Sequence, residues 1–102
     1  MNVLDLIGDL KKTGYPIAYL AFKKPQNPPF ICVQEPYTSN SFADGKVSAI
    51  IQHVQIDLYT SGKDAEAEDA VQNAISDYAW NKEMEYEDGE DIFRVIYDLE
   101  VI

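Results

Sequence analysis

The chain has 102 residues, enough for one domain and too few for two ordinary ones. Its 46% hydrophobic content supports a packed core and argues against overall disorder, while a net charge of −10 argues against nonspecific nucleic-acid binding. The charge is uneven: residues 52–102 hold 14 acids against 3 bases, and residues 1–51 hold 4 acids against 5 bases. One surface should therefore be strongly acidic, suited to a basic protein partner or to unlike faces of the same protein.

Residues 2–12 predict a short helix with Val3, Leu6, Ile7 and Leu10 on one face, started by Asn2 or Asp5. Gly14 stops it and Pro16 bars its continuation. Residues 17–22 predict a first strand, and residues 23–29, with three prolines, a turn. A second strand is expected over 30–35, paired with the first as a hairpin. The polar stretch 36–46 is expected to be an irregular loop with a turn at Asp44-Gly45. Its Tyr37 and Phe42 are either inward anchors or exposed contact residues.

Residues 47–60 predict one long strand, with Val54, Ile56, Leu58 and Thr60 on one face and His53, Gln55, Asp57 and Tyr59 on the other. The apolar side changes near Gln52, which a bulge, a bend or coverage of both faces would explain. Residues 64–79 predict a helix capped by Asp64, with Ala67, Val71, Ala74, Ile75 and Tyr78 at helical spacing. Met84 and Tyr86 alternate with Glu83, Glu85 and Glu87 as on a half-exposed strand, and Asp88-Gly89 predicts a hairpin turn. Residues 91–102 complete the pair. The expected fold is a single α+β domain over 1–102: helix, three strands, helix, two strands, with a mostly antiparallel sheet covered by helices. The sheet's other face retains enough apolar residues to meet a partner.

No constellation carries chemistry. The one cysteine, Cys32, cannot form an internal disulfide and lies in an apolar strand pattern, where a buried thiol is inert. One histidine, His53, without ligand spacing around it, predicts no metal site. The acidic run 87–91 lacks the register of a calcium loop. Thr60-Ser61-Gly62-Lys63 lacks the phosphate-loop pattern and suits a capped strand-to-helix turn. No enzyme activity, cofactor or sequence-specific nucleic-acid contact is expected. The N-terminus lacks the basic-then-apolar pattern of a signal peptide, and no apolar run approaches the roughly 18 residues of a membrane span. A reducing intracellular compartment, or a particle assembled in one, is the expected setting.

Several phrases point to a family by their order and spacing: Gly14-Tyr15-Pro16-Ile17-Ala18-Tyr19 with Phe22, Pro28-Pro29-Phe30-Ile31, Ala43-Asp44-Gly45, Ile56-Asp57-Leu58-Tyr59-Thr60, Lys63-Asp64 with Glu68, and Tyr97-Asp98-Leu99-Glu100. Together they resemble small proteins of tailed bacteriophages and prophages of Gram-positive bacteria, of the tail-terminator or tail-completion type. Two features depart from that pattern: Cys32 stands where an aromatic is common, and the link around Trp80–Glu83 is short. The resemblance implies a structural virion protein at the head–tail junction, assembled in the bacterial cytoplasm. It also implies a hexameric ring that docks the tail-tube protein to the head connector. The interface residues expected on charge and placement are Lys23, Lys24, Tyr37, Asn40, Phe42, Asp44, Asp57, Tyr59, Glu83, Glu85, Glu87, Asp88, Glu90 and Asp91. The competing expectation is a monomeric or dimeric acidic module that binds a basic protein.

Overall fold

The computed structural model describes residues 3–87, 89 and 91–101, with the backbone alone at Ser41, Ser48 and Glu87. Asn2, Asp88, Glu90 and Ile102, which figure in the sequence expectations, lie outside the described residues. Helix α1 covers Val3–Leu10 and tightens into a 3₁₀ turn at Lys11–Thr13; α2 covers Ala65–Ala74. The strands are β1 (Ile17–Tyr19), β2 (Phe30–Ala43), β3 (Lys46–Ser61), β4 (Trp80–Glu87) and β5 (Ile92–Val101).

These strands form one five-stranded sheet in the order β1-β2-β3-β5-β4. The fold is mostly β, 51% strand against 22% helix, with a mixed sheet. That overturns the expected α+β domain with a mostly antiparallel, helix-covered sheet. Two departures account for it.

The first is at β1. It pairs with β2 in parallel, Ile17 beside Ile31 and Tyr19 beside Val33, so there is no hairpin between them. The strand stops after three residues because Leu20 takes φ +70°, a left-handed conformation that breaks the extended run. Residues 20–29 then carry the chain back, the connection that a parallel pair requires. The second departure is the expected loop at 36–46, which is strand. β2 runs to Ala43, and Asp44 and Gly45, at φ +53° and +75°, form a two-residue turn into β3. Positive φ at both positions is the hairpin geometry whose twist matches paired strands.

Both helices pack on one sheet face but cover only its middle, leaving Phe42, Val47, Ile50, Met84 and Tyr86 exposed. Leu6 and Leu10 of α1 and Ala67 and Val71 of α2 close over Ile31, Val33, Val54, Ile56, Leu58, Val95, Tyr97 and Leu99, all buried. The alternation along β3 and β5 dictates this, since every second side chain reaches the same face. Tyr97 is fully buried; its ring meets Trp80 edge-on at 5.5 Å and its hydroxyl donates to Gln72 Oε1 at 3.1 Å. Burial pushes the Tyr97 phenol well above its ordinary pKa.

Local signals fix the helix ends. The Gly14 N–H returns to the Lys11 carbonyl at φ +81°, a left-handed stop that glycine adopts without strain. The Asp64 carboxylate accepts from the Ala67 N–H at 3.0 Å and starts α2. Helix α2 ends at Ala74, earlier than the expected 79, with Ile75 buried in the turn that follows. Thr60 Oγ1 donates to the Gly62 carbonyl at 2.9 Å, making the segment before α2 a closed turn.

Glu68 joins this turn to the sheet. It is 3% exposed and accepts from Lys63 and from Lys82 of β4, the latter at 3.1 Å. Burial opposes its ionisation, but the two lysines outweigh that and hold its pKa below the ordinary value of 4.5. A carboxylate depressed in the folded state stabilises fully above its unfolded pKa and loses that contribution as pH falls through the folded value. Wild type should therefore lose more thermal stability than Glu68→Gln between about pH 6 and about pH 3. Equal losses in thermal unfolding would show that the carboxylate contributes nothing.

Candidate protein-interaction surface

Beyond its pairing with β5, which ends at Gln52 and Val101, β3 has only β2 as a neighbour among the described residues. Among the described residues strand β1 pairs with β2 at Ile31–Val33. Residues 37–51 thus form a two-stranded ribbon, seven residues long on the β2 side before the turn, or roughly 20 Å of extended chain. It contributes to an elongated molecule of 51 × 27 × 25 Å. An isolated two-stranded ribbon is marginal in water, since neither face has a layer to pack on.

One ribbon face carries apolar side chains. Asn40 pairs with Ile50 and Phe42 with Val47. Phe42 is 68% exposed, Ile50 62% and Val47 48%. On the other face Tyr37 stacks on His53 at 4.2 Å, and Ser39 Oγ lies 2.7 Å from His53 Nε2. Tyr37 and Phe42 are thus exposed rather than inward anchors. The extra residue in the pairing falls on β2 between Gln34 and Tyr37, across from the expected change near Gln52; a second shift follows Ser41. At the ribbon's root, Tyr37, His53, Trp80, Asp98 and Glu100 help line a cleft of about 540 Å³.

The helix-free sheet face holds a charged network. Asp57 is 3% exposed and accepts from Arg94 at 3.1 Å, Gln55 at 2.9 Å and Gln34 at 3.3 Å. Arg94 also reaches Glu85 at 3.2 Å and lies 6.0 Å from the Tyr59 ring centre. Asp57, expected at a subunit interface, is therefore held inside its own subunit. Tyr59, half-buried, stacks on Phe30 at 4.8 Å. Burial pushes the thiol of Cys32 up, consistent with an inert side chain.

Segment 20–26 lies over this face beside Phe30 and Tyr59. Lys23 and Lys24 are exposed there, next to edge strand β1. Glu83 and Glu85 are exposed on β4, the opposite edge. Glu87 ends β4, and Asp91, at φ +52°, immediately precedes β5 with its carboxylate accepting from the Tyr86 hydroxyl at 3.3 Å. Asp44 occupies the ribbon turn, far in sequence from either charged edge.

Sequence reasoning missed Arg94 as partner of Asp57, and Val47 and Ile50 as partners of Phe42 and Asn40. The usable signal was Asp44-Gly45, which sets the cross-strand pairs once its flanks are taken as strands. Among the described residues no group of three His, Cys, Asp or Glu side chains is placed to hold a metal ion, and no helix is long and apolar enough to cross a membrane. No protein-family model matches the chain, and a search of curated proteins finds no significant match.

Proposed function

We propose that the protein is a structural assembly subunit, of the tail-terminator type that its sequence resembles, and that its ribbon makes a subunit contact. The observation that supports this best is the ribbon's apolar face. Phe42, Val47 and Ile50 stand exposed on a two-stranded extension that no third strand supports among the described residues. Exposed apolar surface on an extension of marginal stability is stabilised by burial against another chain. Phenylalanine is enriched in interface cores, and fully burying a Phe, Val or Ile side chain is worth about 1.5–3 kcal/mol.

In this role the subunits form a ring at the head–tail junction, with the tail-tube protein on one side and the head connector on the other. The work is docking and needs no reaction. Purified protein added to tail tubes with open ends should appear by electron microscopy as a single cap at one end and should stop further tube growth. Tubes that continue to grow, with no density at either end, would refute the terminator role.

A further inference from the structure

Besides the ribbon, the sheet carries a second exposed apolar surface. Leu20, Phe22, Phe30 and Tyr59 form the apolar part of a cleft of about 440 Å³ on the helix-free face, with Lys23 and Lys24 on its lining. Leu20 is 62% exposed, and Phe22 meets Phe30 edge-on at 5.7 Å. Among the described residues neither lysine has an ion-pair partner.

We propose that this cleft receives strand β4 of a second copy of the chain. This rests on the assembly role proposed above and names one of its contacts. The chemistry of β4 matches the cleft on both counts. As an edge strand it presents both of its alternating rows at once, in addition to unpaired backbone groups. One row offers Met84 and Tyr86, 43% and 49% exposed. The other row begins with exposed Glu83, which has no ion pair among the described residues. Apolar side chains of β4 meet the aromatic wall, and its carboxylates meet Lys23 and Lys24.

Within one subunit, β2, β3 and β5 separate β1 from β4. The match is therefore made between copies. Because the two surfaces are unlike, the contact is head-to-tail, and repeating it closes a ring where the rotation permits. The chain's acidity also favours this pairing, since few cations compete for the glutamates: residues 52–102 contain only Lys63, Lys82 and Arg94. Lys63 and Lys82 are held by Glu68, and Arg94 by Asp57 and Glu85.

The test is a charge exchange, read as the subunit dissociation constant by sedimentation velocity. K23E/K24E and E83K/E87K spare Glu85, which Arg94 holds, and circular dichroism with thermal unfolding checks that each variant folds. Each pair alone should weaken assembly at least about tenfold, and combining all four substitutions should restore most of the loss. Mixing the two pair variants should restore only the contacts between unlike subunits. Unchanged assembly in K23E/K24E, or additive losses in the combined variant, would overturn the cleft contact. If assembly ignores these charges but fails when the ribbon's apolar residues are changed, the ribbon contact stands and the cleft contact falls. A wild-type chain that stays monomeric would overturn both.

Discussion

Replacing Phe42, Val47 and Ile50 together by threonine should weaken self-association by about 100-fold or more, with little change in thermal stability. The three side chains lie on one ribbon face, exposed, and none belongs to the buried core. Their loss therefore removes little that holds the isolated fold together. Threonine is β-branched and suits a strand, so the ribbon itself should persist. Fully burying a Val, Ile or Phe side chain is worth about 1.5–3 kcal/mol, so losing most of that burial at three positions exceeds the roughly 2.8 kcal/mol of a 100-fold change. Dissociation constants and melting curves measured side by side check both halves. A variant that assembles as wild type would show that this face contacts no neighbour; one that melts far lower would show that it packs within its own subunit.

The largest stability effect should come from Arg94→Met. The substitution leaves the Asp57 carboxylate, 4% exposed, with two neutral amide donors and no cation. Removing one partner of a buried pair commonly costs about 3–5 kcal/mol, because the remaining charge stays away from water uncompensated. Arg94 retains 29% exposure, which places the expected loss toward the lower end, about 3 kcal/mol. The pair itself adds little net stability, since Arg94 Nε is buried without a hydrogen-bond partner among the described residues. The double variant Asp57→Leu with Arg94→Met should accordingly recover much of the loss. Denaturant unfolding of the two single variants and the double variant tests this. A double variant no better than Arg94→Met would mean that the network supplies more than charge compensation.

Some parts of this structure were legible because one residue controls each of them. Gly14 ends the first helix, Asp64 caps the second, and the alternation of Val54, Ile56 and Leu58 assigns a strand to the core face. Such features depend on local sterics and on the two-residue period of a strand. The fold class was misjudged where local composition and pairing disagree. Thr38, Ser39 and Asn40 look like loop residues because polarity usually marks solvent-exposed connections. Here they are strand residues exposed on a ribbon that lacks a packed face. β1 looked antiparallel because a short gap usually joins hairpin strands; the left-handed Leu20 reverses the chain first, and leucine carries no signal for that conformation.

The candidate surface was legible in charge and hidden in geometry. Sequence alone separates the lysines at 23 and 24 from the acids that begin at Glu83, and the sheet order places Glu83 and Glu85 of β4 at the edge opposite β1. Asp57 shows the limit of that approach. A polar residue alternating with His53 and Tyr59 looks exposed, yet Arg94, 37 residues away, and two glutamines enclose it. Long-range partners of this kind arise from strand order, which periodicity does not specify.

The most direct test of the assembly role is absolute mass by light scattering across protein and salt concentration, with electron microscopy of the heaviest species. The proposed contacts predict a mass that rises with protein concentration to one closed multiple of the 11.5 kDa chain, seen as rings, and that falls as salt screens the lysine–glutamate contacts. A monomer at every concentration and salt would contradict the assembly role and favour the acidic protein-binding module instead.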